Sequence, residues 1–326
     1  MWQEVVSGVV FLAAGAIAAP AQAPQPLAFA IREDNDYFNL WQRRRDRPDD
    51  EYTQGLQLSI AWSRRPLLRM PGILDGSACA RDGDPRVRCV RLDAAIGQQM
   101  YTPDVDSPQL LPGQRPYAGW LYVAVGETSE SVRDFDRLDA TVGVTGPPSL
   151  AESTQGVWHE WFGFRRPLGW SGQLPFETDF AVTWTHAREL LPNGSRGASV
   201  AHLAPYGAVE LGTLRTALDL GARIAIGFHP PATWPGDRQP AGGGRFGVYL
   251  TAAAGGSGVV RNLFLDGDTF RPSGLVRKNF LVGSASLGIG ISAGRVRLEA
   301  TAVTMSREYP TQPAPHTYTS LSVRVW

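Results

Sequence analysis

The segment 146–170, GPPSLAESTQGVWHEWFGFRRPLGW, contains the residues best placed to do chemistry, and it is the only segment whose pattern predicts a helix. Ser149 and Glu152 have the spacing of a capping box, in which each side chain accepts a hydrogen bond from the other residue's backbone N–H. Gly163 is a stop signal, so the predicted helix is about four turns long. The elements that must position this helix are predicted to be strands.

Gln155 and His159 are four residues apart on this helix and therefore share a face. Trp158, Trp161 and Phe162 form an adjoining apolar stripe. A neutral histidine can take a proton from water, so a histidine beside an amide and an aromatic stripe favours hydrolysis of an acyl-chain substrate. The alternative is an amphipathic loop helix in which His159 is only a polar edge residue.

Acidic, amide and hydroxyl side chains converge where the first two predicted strands meet. The first strand ends in EDND at 33–36, and the second follows DDE at 49–51 and begins with YTQG at 52–55. Oxygen ligands of this kind suit calcium, with Asp36 and Thr53 as candidate ligands. The spacing is not that of an EF-hand loop, and an acidic rim that is only solvated is the alternative.

The composition bounds the class of protein. The chain has 326 residues and a formal net charge of zero, so it has no basic excess for nucleic acid. Its 36 glycines and 25 prolines favour many strands joined by turns. No apolar run after the N-terminus reaches the length of a transmembrane helix.

Residues 5–19 form an apolar stretch followed by small residues, which is typical of a secretory signal peptide. Cleavage is expected after Ala21, giving a signal peptide at 1–21 and a single domain at 22–326. The start of the chain departs from the usual pattern, since it contains Glu4 and neither lysine nor arginine before the apolar stretch.

The two cysteines, Cys79 and Cys89, lie in a polar loop. In an exported protein, two neighbouring loop cysteines favour one disulfide that closes a small loop. A zinc site is disfavoured because no second Cys/His pair has ligand spacing.

Apolar and polar residues alternate with a period of two in many segments, which predicts strands with two distinct faces. In 217–228, for example, Leu218 and Leu220 alternate with Asp219 and Gly221. Twelve strands are predicted, at about 27–37, 52–63, 91–101, 117–128, 135–145, 177–188, 199–211, 214–228, 246–265, 279–291, 295–307 and 317–326.

Alternation alone fits a soluble β-sandwich as well as a membrane barrel. Three features favour the barrel: the polar face carries small and charged residues in mid-strand, the chain is expected to be exported, and it ends in an aromatic residue, Trp326. The sequence therefore predicts an all-β protein, a twelve-stranded antiparallel transmembrane β-barrel with a short helix in an extracellular loop. Trp326 falls on the polar parity of the last strand, opposite Leu321 and Val323.

Basic residues concentrate in the loops that such a barrel would place on its outer side. The segment 115–122 is expected to bring Arg115 and several aromatics to this rim, with Trp120 and Tyr122 in the interfacial girdle. The basic residues predicted on the outer side are Arg43, Arg44, Arg45, Arg47, Arg115, Arg165, Arg166, Arg271, Arg277 and Lys278.

Several short blocks occur in one order along residues 35–174. The combination resembles the outer-membrane lipid A deacylase family and is more specific than any block alone. The blocks are Asn35-Asp36, Tyr52–Gly55, Tyr101–Pro103, Arg115–Tyr122, Gly146-Pro147 followed by Gln155 and His159, and Gly169–Leu174.

The resemblance implies an outer-membrane barrel that uses calcium to hydrolyse the ester of the 3′-linked acyloxyacyl chain on lipid A of lipopolysaccharide. A monomer is expected. The resemblance also implies His159 as the general base. The other implied catalytic residues are Asn35, Asp36, Thr53 and Gln155, with Asp36 and Thr53 at the metal and Arg115, Tyr117, Arg165 and Arg166 as substrate-binding residues.

The chain departs from the family pattern in two places. Gln114 stands where the family can have a lysine, and Arg165 and Arg166 occupy a region where an acidic residue can follow the histidine. Metal affinity or contacts with substrate phosphates are therefore expected to differ.

Two alternatives remain at the level of sequence. One is a passive channel or structural barrel in which His159 is incidental. The other is an outer-membrane phospholipase with a Ser-His pair, but Ser153 is six residues before His159 on a different helix face. The one G-x-S-x-G match, at 290–294, falls at the turn between two predicted strands and not before a helix, so the chain has no nucleophile elbow.

Overall fold

Twelve long antiparallel strands form a closed barrel. The computed structural model describes residues 26–38, 49–68, 70–79, 87–191, 199–230, 246–270 and 276–326. The strands are β1 Pro26–Asn35, β2 Glu51–Ser63, the two-residue β3 Ser77–Ala78, β4 Cys89–Thr102, β5 Ala118–Glu130, β6 Asp134–Thr145, β7 Thr178–Arg188, β8 Ser199–Gly212, β9 Arg215–Phe228, β10 Gly247–Asn262, β11 Leu281–Ala293, β12 Val296–Met305 and β13 His316–Val325.

The barrel closes because β1 pairs with both β13 and β2, and β2 pairs with β4. Closure leaves no unpaired edge among the long strands, which is what a strand-built protein needs in a bilayer. The prediction of twelve antiparallel strands is confirmed. The short β3, which lies parallel to β4, was not predicted.

Two α-helices and two 3₁₀ turns lie in the described part of the chain. They are α1 Ala151–Phe162, α2 Leu263–Asp266, and the turns Pro147–Ser149 and Trp170–Gly172. Within the described residues, no helix combines the length and apolar content needed to cross a membrane.

The two faces of the strands separate as the alternation predicts. Leu218, Leu220 and Ile226 are about half exposed on the outer face, where lipid replaces water. The inner face encloses a cavity of about 840 Å³ lined by arginines and carboxylates in equal number: Arg32, Arg137, Arg223, Arg297, Arg324, Asp34, Asp93, Asp139, Glu210 and Glu299.

The expectation that Trp120 and Tyr122 lie in an outer aromatic girdle is wrong. Both side chains are buried inside the barrel and stack with ring centroids 4.2 Å apart. Their neighbours Val123 and Val125 take the outer face, each about half exposed. Since side chains of a strand point alternately to the two faces, the outward valines require Trp120 and Tyr122 to point inward.

The C-terminal Trp326 also lies on the inner side, as its parity predicts. It is buried against Ala28 and Ala61, and the guanidinium of Arg297 lies 4.7 Å from the centre of its ring. This arrangement is a cation–π contact at one end of the barrel.

Cys79 and Cys89 form the predicted disulfide. The bond joins the residue directly after β3 to the first residue of β4. The predicted signal peptide at 1–21 lies outside the described residues.

The start of α1 differs from the predicted capping box. Ser149 belongs to the preceding 3₁₀ turn, where its Oγ donates to the carbonyl of Gly146 at 2.6 Å, and no side chain caps the helix. Leu150, with φ 61°, separates the turn from the helix, which therefore begins at Ala151. The predicted stop is confirmed, since Gly163 ends the helix in the left-handed conformation that glycine favours.

Candidate active site

Helix α1 packs against the outer end of the barrel wall because Gly119, which has no side chain, faces the start of the helix. A Cβ on Gly119 of β5 would stand 2.2 Å from Ser149 Oγ and 2.3 Å from Ala151 Cβ. A side chain there would therefore push the helix away from the strand. Ala151 is buried in a cluster with Met100, Tyr117 and Trp170.

His159 is buried on the face of α1 that points toward the barrel, 4% exposed. Its Nε2 lies 2.7 Å from Oδ2 of Asp49, and its Nδ1 contacts the carbonyl oxygen of Arg165. Burial alone would lower the pKa of this ring, but the hydrogen bond and negative charge of Asp49, with the carbonyl of Arg165, outweigh it and raise the pKa. Both ring nitrogens therefore face oxygen acceptors.

Gln155 is buried one turn before His159, as the predicted shared face requires. Its Oε1 accepts a hydrogen bond of 2.6 Å from the indole N–H of Trp170. This bond fixes which end of the amide is oxygen, since an indole nitrogen can only donate. Within the described residues, the Nε2 of Gln155 has no hydrogen-bond partner.

Asp36 lies just after β1 and is buried among carboxylates. Its Oδ2 accepts the backbone N–H of Asp50 at 2.8 Å, and its own N–H donates to the carbonyl of Thr53 at 3.2 Å. Burial and the nearby charges of Asp49 and Asp50 raise the pKa of Asp36 well above its usual value. Its Oδ1 is buried and has no partner among the described residues.

The predicted catalytic residues meet in one cleft between α1 and the barrel rim. Asn35, Thr53, Gln155 and His159 all line it, and Asp36, which is not among the lining residues, is joined to Thr53 by a backbone hydrogen bond. Thr53 Oγ1 is 2.7 Å from Oγ1 of Thr102. The remaining lining residues are Tyr37, Phe38, Asp49, Gln54, Trp158, Phe162 and Phe164.

Aromatic side chains continue from the cleft to the outer surface. Tyr37 and Phe164 meet with ring centroids 5.1 Å apart, and Trp158 and Phe162 stack at 5.0 Å. Trp161 is 75% exposed. We call these five residues the aromatic strip.

Arg115 is not exposed at the rim, contrary to expectation. It is fully buried, with its Nη1 2.9 Å from Glu51 and 3.2 Å from Glu308, and its guanidinium 4.7 Å from the ring centre of Tyr101. A buried arginine needs such partners because an unpaired charge there is costly.

Tyr117 is buried as well, and its hydroxyl donates to Oδ1 of Asp106 at 2.7 Å. Neither Arg115 nor Tyr117 lines the cleft, and their contact with substrate stays a prediction.

Arg165 and Arg166 are exposed beside the helix end, and their contact with substrate stays a prediction. The backbone of Arg165 takes part in the site through its carbonyl, while its side chain is at the surface. The predicted outer arginines Arg43, Arg44, Arg45, Arg47 and Arg271 lie outside the described residues.

Two residues of the site were missed. The sequence places Asp49 only in an acidic rim, because its pairing with His159 joins segments distant in sequence. It places Trp170 only in a motif block, because the hydrogen bond to Gln155 spans 15 residues. No local pattern in the sequence predicts either contact.

A closed barrel with an apolar outer face and a charged interior has the architecture of an outer-membrane barrel, and the histidine–carboxylate pair under its loop helix marks a candidate site. The family model described as outer membrane protein LpxR matches residues 6–326, and the chain belongs to that family. The family resemblance found in the motif blocks is thereby confirmed, and so is the outer-membrane location.

The solved structure titled LpxR from Salmonella typhimurium has the same fold, with a TM-score of 0.74 at 19% identity over 92% of this chain and 99% of that chain. The beta domain of the Bordetella autotransporter BrkA aligns with a TM-score of 0.47 at 10% identity, over 94% of this chain and 100% of that chain. A comparison with curated protein sequences gives no match.

Proposed function

We propose that the protein is an ester hydrolase that removes the 3′-linked acyloxyacyl chain from lipid A in the outer membrane. The observation that carries the proposal is that a buried His159 and an oriented Gln155 amide line the same cleft, which opens onto exposed aromatic residues. The proposed catalytic residues and an apolar surface for acyl chains thus lie side by side at the outer rim of the barrel.

His159 is the general base in this proposal. The carbonyl of Arg165 holds Nδ1–H and so orients the ring, which leaves Nε2 to take the proton from water. In this structure the carboxylate of Asp49 contacts Nε2, so it must move aside before the water can bind there. Once the ring is protonated, Asp49 stabilises the imidazolium by charge and hydrogen bonding.

The reaction proceeds by attack of that water on the ester carbonyl. A tetrahedral oxyanion forms, the bond between the acyl carbon and the ester oxygen breaks, and the proton held by His159 passes to the departing alkoxide. The products are a carboxylic acid and an alcohol on lipid A. Water is the nucleophile in this scheme, and Ser153 is exposed on the helix surface away from the cleft.

The free Nε2 of Gln155 is the oxyanion donor of this chain. Trp170 holds the oxygen end of the amide, so the two N–H groups point elsewhere, and no described residue accepts from them. A preorganised donor of this kind stabilises the charge that develops in the transition state.

Calcium is the metal in this proposal, because carboxylate and hydroxyl oxygens are ligands of the kind that it prefers. Asp36 and Thr53 would hold the ion, because the buried Oδ1 of Asp36 has no described partner and its pKa is raised by burial and by neighbouring carboxylates. A bound calcium ion would supply Lewis-acid polarisation of the ester carbonyl.

Substrate contacts follow from the surface around the cleft. The aromatic strip would lie along the acyl chain, because it continues from the cleft to the exposed Trp161. Arg165 and Arg166 are exposed beside it and would pair with the phosphates of lipid A, which guanidinium groups bind in a bidentate manner.

The proposal is tested with purified protein in detergent, given either lipid A or a phospholipid with the same acyl lengths. Mass spectrometry should find release of an acyloxyacyl acid from the 3′ position of lipid A and little hydrolysis of the phospholipid. Preferential phospholipid hydrolysis would identify a phospholipase instead, and no release from either would refute an ester hydrolase.

Metal dependence is tested in the same assay. Chelation should abolish turnover and added calcium should restore it, while Asp36→Ala should raise the calcium concentration that is needed. Full activity after exhaustive chelation would remove calcium from the mechanism.

A further inference from the structure

A second buried histidine, His316, lies beside the cleft and takes no part in the reaction described above. It is the first residue of β13 and is 5% exposed. Its Nδ1 is 3.2 Å from Oδ1 of Asp50, and its Nε2 is 3.0 Å from the carbonyl oxygen of Tyr52. Both partners are acceptors, so both contacts are hydrogen bonds when the ring carries both protons.

The place of His316 in the sheet makes this contact unusual. In the sheet β1 lies between β13 and β2, and its pairing with both strands ends at Asn35. His316 therefore bridges from β13 to the start of β2 at the point where β1 leaves the sheet. The residue that follows there is Asp36.

The histidine is connected to the cleft through Asp50. The backbone N–H of Asp50 donates to Asp36 at 2.8 Å, and the preceding residue, Asp49, contacts His159 at 2.7 Å. Consecutive aspartates thus face two different histidines. A fixed Asp50 side chain also fixes the peptide group between Asp49 and Asp50. That peptide group supplies the N–H that donates to Asp36, and its position determines where Asp49 lies.

We propose that His316 is a positioning residue, which holds Asp50 so that Asp36 and the backbone of Asp49 keep their places at the cleft. Its effect on turnover rests on the proposed function, whereas its effect on the backbone at Asp50 does not. Partners that orient the groups of a site typically contribute about 10–100-fold to activity or metal affinity.

Three variants separate positioning from general stability. His316→Leu fills the space and removes both hydrogen bonds, and His316→Asn keeps a donor for Asp50. His202→Leu is the matched control, because His202 is 4% exposed, faces Glu189 at 3.4 Å and lies toward the other end of the barrel. Heat-modifiable migration on gels checks that each variant has folded.

The first measurement is hydrogen–deuterium exchange without substrate, followed on peptides that cover residues 49–54. His316→Leu should speed exchange there by about tenfold or more, with His316→Asn intermediate and His202→Leu unchanged from wild type. Unchanged exchange in folded His316→Leu would overturn the proposal.

The second measurement is kinetics on lipid A. His316→Leu should lower kcat by about 10–100-fold with little change in KM, and His316→Asn should recover much of the loss. Faster exchange with an unchanged kcat, or an equal loss in His202→Leu, would refute positioning for catalysis. If the wild-type enzyme does not cleave lipid A, the proposed function fails, and the exchange result still decides whether His316 fixes Asp50.

Discussion

At the scale of single residues, the protonation of His159 sets the pH at which the proposed reaction can run. A general base must be neutral, and the pKa of His159 is raised by Asp49 against the opposing effect of burial. Turnover should therefore rise with pH through this raised pKa and be lost as the ring becomes protonated at lower pH.

Asp49→Asn tests this contact. Removing the carboxylate removes the main influence that raises the pKa of His159, while burial, which lowers it, remains. The acidic limb of kcat against pH should move to lower pH, and the plateau should fall because the imidazolium loses its partner. Glu152→Gln, which removes an exposed acid from the same helix, should leave the limb in place. An unmoved limb in Asp49→Asn would contradict the account.

Trp170→Phe tests the orientation of the Gln155 amide. Phenylalanine keeps the aromatic packing against Tyr117 and loses only the N–H donor, so the amide is free to turn. We expect Trp170→Phe to lower kcat by about tenfold with KM unchanged, and Gln155→Leu to lower kcat by about 10²–10³-fold. Turnover on lipid A is measured, with Ser153→Ala as the control that keeps activity. Wild-type kcat in Trp170→Phe would show that the orientation is not needed.

At the scale of elements, the helix is held by the turn at its end. Gly163 takes φ 74°, and the N–H of Phe164 returns to the carbonyl of His159 at 2.8 Å. This turn brings the carbonyl of Arg165 back to the ring of His159. The helix stop is thus also part of the site.

Gly163→Ala should loosen this turn without a steric clash, since a Cβ there has open space. The left-handed conformation costs a non-glycine residue about 1 kcal/mol, so residues around the helix end should exchange deuterium faster and kcat should fall several-fold. Gly172→Ala also enters open space but without a positive φ, and should behave like wild type. Equal behaviour of the two variants would refute the role of the turn.

The strands could be predicted almost completely, because a period of two follows directly from strand geometry. The inward direction of Trp120 and Tyr122 follows from the same alternation, since the apolar Val123 and Val125 occupy the outer face. The start of α1 was not predictable from its capping residues, because Ser149 bonds within its own turn and the backbone at Leu150 sets the boundary.

The site was predictable only where its contacts are local or its motifs occur in order. Gln155 and His159 share a face because of helix periodicity. The contacts of Asp49 and His316, and the burial of Arg115 between Glu51 and Glu308, join residues that only the closed barrel brings together. Such tertiary contacts have no signature in a single sequence.

At the scale of the whole molecule, the cleft and the disulfide lie at opposite ends of the barrel. The cleft lies at the end where β1 stops and β2 begins, whereas Cys89 starts β4 at the other end. The two ends should therefore respond to mutation independently.

Cys79→Ser together with Cys89→Ser tests this separation. A disulfide that closes a short loop typically contributes about 2–3 kcal/mol to the free energy of unfolding, so the variant should unfold at lower temperature. Its kcat on lipid A should equal that of wild type when both are folded. A lower kcat in the folded variant would couple the two ends and contradict this assignment.

The central claim is that His159 drives hydrolysis of an acyl ester on lipid A, and mass spectrometry of lipid A from cells that make the protein tests it most directly. Wild type and Ser153→Ala should yield lipid A that lacks one 3′-linked acyloxyacyl group. His159→Ala should yield intact lipid A, because loss of a positioned base costs about 10²–10⁴-fold, although the variant still migrates as a folded barrel. Intact lipid A with folded wild-type protein, or deacylated lipid A with His159→Ala, would contradict the account.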